Sequence, residues 1–155
     1  MTTPGQTAPA VIIGCSRRKT STTVPIPALD LYQGGRIPEL RSVLADQPDL
    51  RRRVWILSAE HGLIHGGTPL LPYDRRLDAA RALELRPQVA HAAGRELAAG
   101  GPPREVLIVA EPLYLLALAD LPGLLAPGLL HWVEDPVGGW PRAEQILTTW
   151  SQPCR

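Results

Sequence analysis

Residues 10–19 read AVIIGCSRRK, and the second half sets a thiol, a hydroxyl and three cations in one short stretch. Cations beside a cysteine favour its thiolate and so make a nucleophile of Cys15. The same cations, Arg17 and Lys19 among them, suit a phosphate together with Ser16 and the turn amides, and that use needs no reactive sulfur. A third role for Cys15 is an inert, packed thiol, a common state for this residue. The stretch alone leaves all three open. It is no Walker loop, because the glycine spacing of that motif is missing.

A second concentration of protic groups is ILSAEHGLIHGGTPLLPYDRRL, residues 56–77. His61 has the chemistry of an acid or base near neutral pH, and Asp74 can orient water or accept a hydrogen bond from a base edge. Tyr73 offers a stacking face and a hydroxyl, Ser58 a hydroxyl at the end of an apolar run, and Gly62 a turn. The competing reading makes His61 and His65 solvated loop residues, and Asp74 with Arg75 a helix-start carboxylate beside a surface cation. Zinc held by Cys15, His61 and His65 lacks a recognised spacing and a fourth ligand, so no metal and no cofactor are assigned. Smaller signals are Asp30 and Tyr32 before the glycine pair of ALDLYQGG, Glu111 and Tyr114 in VAEPLYL, and Trp140 in DPVGGWPR. Tyr114 and Trp140 read equally as packing residues and as platforms for a base.

These residues need elements to position them. Ala10–Gly14, Val54–Ser58, Val106–Ala110 and Leu129–Val133 have the length and β-branched content of buried strands. Between them Ile37, Leu40, Val43 and Leu44 form one helical stripe, and Leu77, Ala80, Leu83, Val89, Ala93 and Leu97 another, which Pro87 is expected to kink or divide. A short helix over 113–121 and a last one over 142–150, after Pro141, complete the pattern. Strands that alternate with helices and are apolar throughout predict a three-layer α/β domain: a mainly parallel sheet of about four strands with helices on both faces. Ligands of such sheets bind beyond the carboxyl ends of the strands, which places Cys15, Ser58, His61 and Glu111 along one edge.

A chain of 155 residues with a net charge of +1 fits one domain, here residues 1–155, with a flexible start over 1–9 and a tail over 151–155. It carries no global field for a polyanion; its basic residues cluster locally at 17–19 and 51–53. No apolar run is long enough to span a bilayer and the first residues do not read as a secretory signal, so a cytoplasmic protein with no membrane partner is expected. Cys15 and Cys154 make no disulfide framework, and the oligomeric state is not readable.

Taken together, the Cys15–Lys19 stretch, LDLYQGG, ILSAEHGLI and PYDRRL resemble the YaaA-like proteins and related bacterial and phage domains. The spacing of Cys15 and Lys19 is also similar to the Cys-x-x-x-Lys element in the core domain of archaeosine synthase. The resemblance covers about the first half of the chain. It implies a fold akin to uracil-DNA glycosylase and a setting in nucleobase or nucleotide chemistry. By matching positions it points to Cys15, Ser16, Lys19, Asp30, Tyr32, Ser58, Gly62, Tyr73 and Asp74. The YaaA-like proteins carry a helical DNA-binding insertion for which this chain has no counterpart, so a nucleoside or nucleotide is favoured over nucleic acid as partner. The expectation is an enzyme acting on the N-glycosidic bond, with Cys15, His61, Asp74 and Glu111 as catalytic groups and the other site residues, Tyr114 included, as binders. Covalent catalysis by Cys15 and a non-catalytic nucleic-acid-binding stress module are the alternatives.

Overall fold

The computed structural model describes residues 8–99 and 101–152. In chain order its elements are β1 (Ala10–Gly14), β2 (Ile26–Pro27), α1 (Ala28–Leu31), α2 (Ile37–Leu44), α3 (Pro48–Arg51), β3 (Val54–Ser58), β4 (Gly62–His65), β5 (Pro69–Leu70), α4 (Ala79–Ala92) with a π-helical continuation over Ala93–Ala98, β6 (Glu105–Val109), α5 (Pro112–Leu115), α6 (Leu121–Leu124), β7 (Leu129–Val133) and α7 (Trp140–Ser151). Cys154 and most of the expected flexible start and tail lie outside the described residues. Ser151, expected in the tail, is the last residue of α7.

The central sheet has five strands in the order β4-β3-β1-β6-β7. β1 lies between β3 and β6, parallel to both, and β6 pairs with β7 in parallel; only β4 runs antiparallel, folded back on β3. The expectation of about four strands is therefore one short. Side-chain alternation divides the core between the two faces. Ala10 and Ile12 of β1, with Trp55, Leu57, Val106 and Ile108, meet Ala82, Leu85, Val89 and Ala92 of α4. Val11 and Ile13, with Val54, Ile56, Leu107 and Val109, meet Leu29, Ile37, Leu40 and Leu44 on one side and Trp140, Ala143 and Leu147 of α7 on the other. Both faces of β1, β3 and β6 are covered, which is why these strands need no polar alternation in sequence, whereas the edge strand β7 is only partly buried.

Two helical readings change. The buried face of α4 is Ala82, Leu85, Val89 and Ala92, while Leu83, counted in the expected stripe, is 54% exposed. α4 also runs unbroken past Pro87. Proline removes one helical donor, here the partner of the Leu83 carbonyl, and both residues stand on the exposed side where water can serve that carbonyl. The helix expected over 113–121 is cut to α5 and α6, each begun by a proline in its first turn.

Candidate functional site

Because β1, β3 and β6 are parallel neighbours, their carboxyl ends deliver Cys15, Ser58 and Glu111 to one edge of the sheet; the Cys15 amide still bonds the Leu57 carbonyl at 2.9 Å. A cleft of about 430 Å³ opens there. Cys15, Ser16, Arg17 and Lys19 line it from the end of β1, Asp74, Arg75 and Arg76 from the loop before α4, and Glu111 and Tyr114 from the end of β6. Four cations thus face two carboxylates in one concavity. Gly35, with φ +59, also lines it; a side chain there would meet no neighbour within 4 Å, so glycine is required for its backbone conformation and the space beside it stays open.

The loop after β1 is strapped to the segment after α1. Ser16 Oγ donates to the Arg18 carbonyl at 2.9 Å and accepts from the Gly34 amide at 3.0 Å, while the Gln33 amide donates to the Arg18 carbonyl at 2.8 Å. Lys19 and Tyr32 form an isolated antiparallel bridge. The strap brings the Lys19 ammonium 4.3 Å from the Tyr73 ring centre and 5.7 Å from that of Tyr32, in cation–π contact with both. Burial lowers the Lys19 pKa from its ordinary value, and the fields of Cys15 and Asp74 oppose part of that shift.

Beneath Lys19 runs a chain of hydroxyls. Tyr73 Oη lies 2.7 Å from both Tyr32 Oη and Ser58 Oγ. Ser58, fully buried, accepts the amides of Glu60 at 3.2 Å and His61 at 3.0 Å, so its own proton is directed to Tyr73. Burial raises the Tyr32 pKa to about 12 against the opposing hydrogen bonds from Tyr73 and Ser58, and burial, followed by the charges of Cys15 and Tyr32, lifts Tyr73 above its ordinary value. On the other side of Cys15, Tyr114 Oη donates to the Cys15 carbonyl at 3.1 Å and stands 3.4 Å from its sulfur. Tyr114 is likewise pushed up, chiefly by burial and then by Cys15.

Other sequence candidates stand apart from the cleft lining. His61 is exposed on the β3–β4 turn with its ring edge-on to Tyr73, centroids 5.3 Å apart. Asp30 turns its carboxylate to Arg51 at 3.0 Å. Gly62 holds φ +76, and a Cβ there would collide with Gln88, whose Oε1 accepts the Leu63 amide; its function is the hairpin, not a ligand. Cys15, His61 and His65 do not converge, since His65 Nε2 donates to the Arg52 carbonyl at 2.6 Å and Nδ1 accepts the Gly67 amide at 3.0 Å. Trp140 packs into the α7 face of the core. Sequence reasoning missed Arg75 and Arg76 as part of the site; their position directly after Asp74 was the available signal. It also missed Arg81, which donates to the carbonyls of Ala59 at 2.9 Å and Glu60 at 2.8 Å and so fixes α4 to the turn after β3.

Sheet and cleft together define an α/β domain with a cation-lined cleft at the carboxyl ends of its parallel strands. The chain belongs to the family of unknown function DUF6884, which it matches over residues 10–123. That span includes every residue lining the cleft. No curated protein and no solved structure matches the chain. No helix of the described residues is long and apolar enough to cross a membrane.

Proposed function

We propose that this chain is a cytoplasmic enzyme that recognises a nucleobase in a nucleoside or nucleotide and hydrolyses its N-glycosidic bond. The observation that carries the reading is the pairing, in one cleft, of two carboxylates without side-chain partners among the described residues, Asp74 and Glu111, with a half-buried ammonium set on aromatic rings, Lys19. Cleavage of such a bond passes through an oxocarbenium-like sugar, which a carboxylate stabilises while a second polar group assists the departing base. In this scheme the C1′–N bond breaks with its electron pair leaving on the base nitrogen, and water oxygen bonds C1′. Asp74 takes a proton from that water, and the base nitrogen gains one from an acid. Lys19, whose lowered pKa makes it a stronger acid than an ordinary lysine, is that acid in place of His61, the acid or base expected from the sequence, since His61 does not line the cleft. The likeness of Cys15–Lys19, LDLYQGG and PYDRRL to YaaA-like proteins and to the archaeosine synthase core supports the nucleobase setting and a uracil-DNA-glycosylase-like arrangement. Incubation with a panel of nucleosides and nucleotides is expected to release free base on chromatography, and Asp74→Asn to abolish release. No release from any of them, with Asp74→Asn indistinguishable from the parent, would overturn the reading.

The contact of Cys15 with Tyr114 favours a second reading, covalent catalysis on an electrophilic carbon of a modified base. Tyr114 Oη already donates its proton to the Cys15 carbonyl, so in the thiol form the sulfur donates to Tyr114, and in the thiolate form Tyr114 can turn its proton to sulfur. Rapid alkylation of the native protein by iodoacetamide at neutral pH, slowed by a bound nucleotide, is the expected result. Alkylation only in denaturant would remove this reading.

A further inference from the structure

We infer that the ligand of this cleft carries a phosphomonoester, so that the substrate is a nucleoside monophosphate in preference to the free nucleoside. The name of the substrate rests on the N-glycosidic reading; the phosphate does not.

The first support is where the unpaired guanidinium groups lie. Arg36, Arg51, Arg52, Arg75, Arg81, Arg86 and Arg104 all stand in ion pairs. Arg41, Arg53 and Arg142 donate to backbone carbonyls. Among the described arginines this leaves the side chains of Arg17, Arg18, Arg76 and Arg95 without a hydrogen bond or ion pair. Two of those four, Arg17 and Arg76, line the same cleft although they come from loops on different sides of it. Guanidinium groups converging from separate loops fit the several oxygens of a phosphate, which they can hold through paired, charge-assisted hydrogen bonds.

The second support is a surplus of donors beside them. Three hydroxyl protons, of Ser58, Tyr73 and Tyr32, serve only two oxygen–oxygen contacts, and Ser58 oxygen is already filled by two amides. One proton, on Tyr32 or Tyr73, is therefore left over, but Tyr32 is fully buried and neither ring lines the cleft, so the donors a ligand meets there begin with Lys19. Lys19 has only the Arg17 carbonyl at 3.2 Å as a hydrogen-bond acceptor, its other contacts being the tyrosine rings, so it can give protons to a ligand's oxygens. A site with more donors than acceptors calls for a ligand rich in acceptors. Asp74 and Glu111 oppose an anion, but with Arg75 paired to Glu60 the three remaining cations, Arg17, Lys19 and Arg76, still outnumber them. The volume of about 430 Å³ falls within the range of roughly 300–1,000 Å³ typical of small-molecule sites. A net charge of +1, with Arg17, Lys19, Arg75 and Arg76 in one concavity, gives no extended field for a polymer backbone and favours a terminal phosphate.

The test is calorimetric titration of matched pairs, each nucleoside against its 5′-monophosphate, with inorganic phosphate and a short single-stranded oligonucleotide as further probes and base release followed in parallel. The monophosphate is expected to bind about tenfold tighter or more than its nucleoside, a preference that Arg17→Gln and Arg76→Gln each reduce by about tenfold. Arg95→Gln, exposed and outside the cleft, keeps the full preference. Equal affinity within each pair, an unchanged preference in both cleft variants, or tighter binding of the oligonucleotide than of any monophosphate would overturn the inference. Base release at equal rates from nucleosides and nucleotides would leave the hydrolase standing without the phosphate. A phosphate preference lost in the two variants, with no base ever released, would do the reverse.

Discussion

Tyr32, Tyr73 and Tyr114 are all the tyrosines of the chain; Tyr114 lines the cleft, Tyr32 and Tyr73 lie against its Lys19, and all three phenols are held above their ordinary pKa. Buried hydroxyls resist ionisation because the phenolate would lose its water. The linkage follows from the sign of the shift. Below pH of about 10, where an unfolded tyrosine is still protonated, folded and unfolded states bind the same phenolic protons and the site's contribution to stability is fully present. Above it the unfolded chain loses protons first, and stability falls as pH rises through the folded value, about 12 for Tyr32. Phenolate absorbance should therefore show no tyrosine titrating normally near 10; instead the three should appear late, with unfolding. A single normal titration in the native protein would show one of the phenols to be solvated. Sequence reasoning named each of these tyrosines and Ser58, yet not the chain of hydroxyls that joins Tyr32 to Ser58 through Tyr73. No local pattern encodes contacts between segments 41 and 15 residues apart in sequence. Asp30 misled for the opposite reason, since its partner Arg51 lies 21 residues away and its carboxylate looked unclaimed.

Besides the short β2, β5, α1 and α3, the sequence concealed one strand of the central sheet, β4. GLIH is four residues long and flanked by Gly62 and the Gly66–Gly67 pair, so its composition reads as loop; the fold-back onto β3 makes it a strand. Gly62 is what permits the fold-back. Its φ of +76 suits glycine alone, and the Gln88 side chain occupies the place of a Cβ. Gly62→Ala should lower the denaturant midpoint, at a cost of about 1 kcal/mol or more. Adding Gln88→Ala relieves the collision and leaves the backbone strain, so only part of the loss should return; full recovery would assign the whole cost to crowding. Of the parallel strands, β1, β3 and β6 were legible because burial on both faces makes them nearly continuous apolar runs; β7, with Leu129 exposed and His131 and Trp132 half-buried, was marked by its length and composition alone. The face of α4 was not, because Leu83 and Leu85 offer competing stripes and the choice is made by packing on the sheet. Asp78 caps this helix through the Arg81 amide at 2.7 Å, and Arg81 then holds the cleft-side turn, so the start of α4 and the wall of the site are one construction.

At the scale of the whole molecule, charge is arranged more than accumulated. The chain is nearly neutral, yet its cations exceed its carboxylates where the strand ends converge, and composition alone had no means of showing that. The sheet that brings this about is centred on β1, whose Val11 is flanked by Val54 on one side and Leu107 on the other. The central strand thus leaves a ribosome well before its second neighbour, β6, has been made. Until residues near 110 have been synthesised, an apolar strand waits with an open edge, and parallel pairing over such separations is slow. Cys15, Asp74 and Glu111 cannot meet before that wait ends. The cleft is therefore a late product of folding, and the nascent chain depends in the meantime on whatever shields the flank of β1.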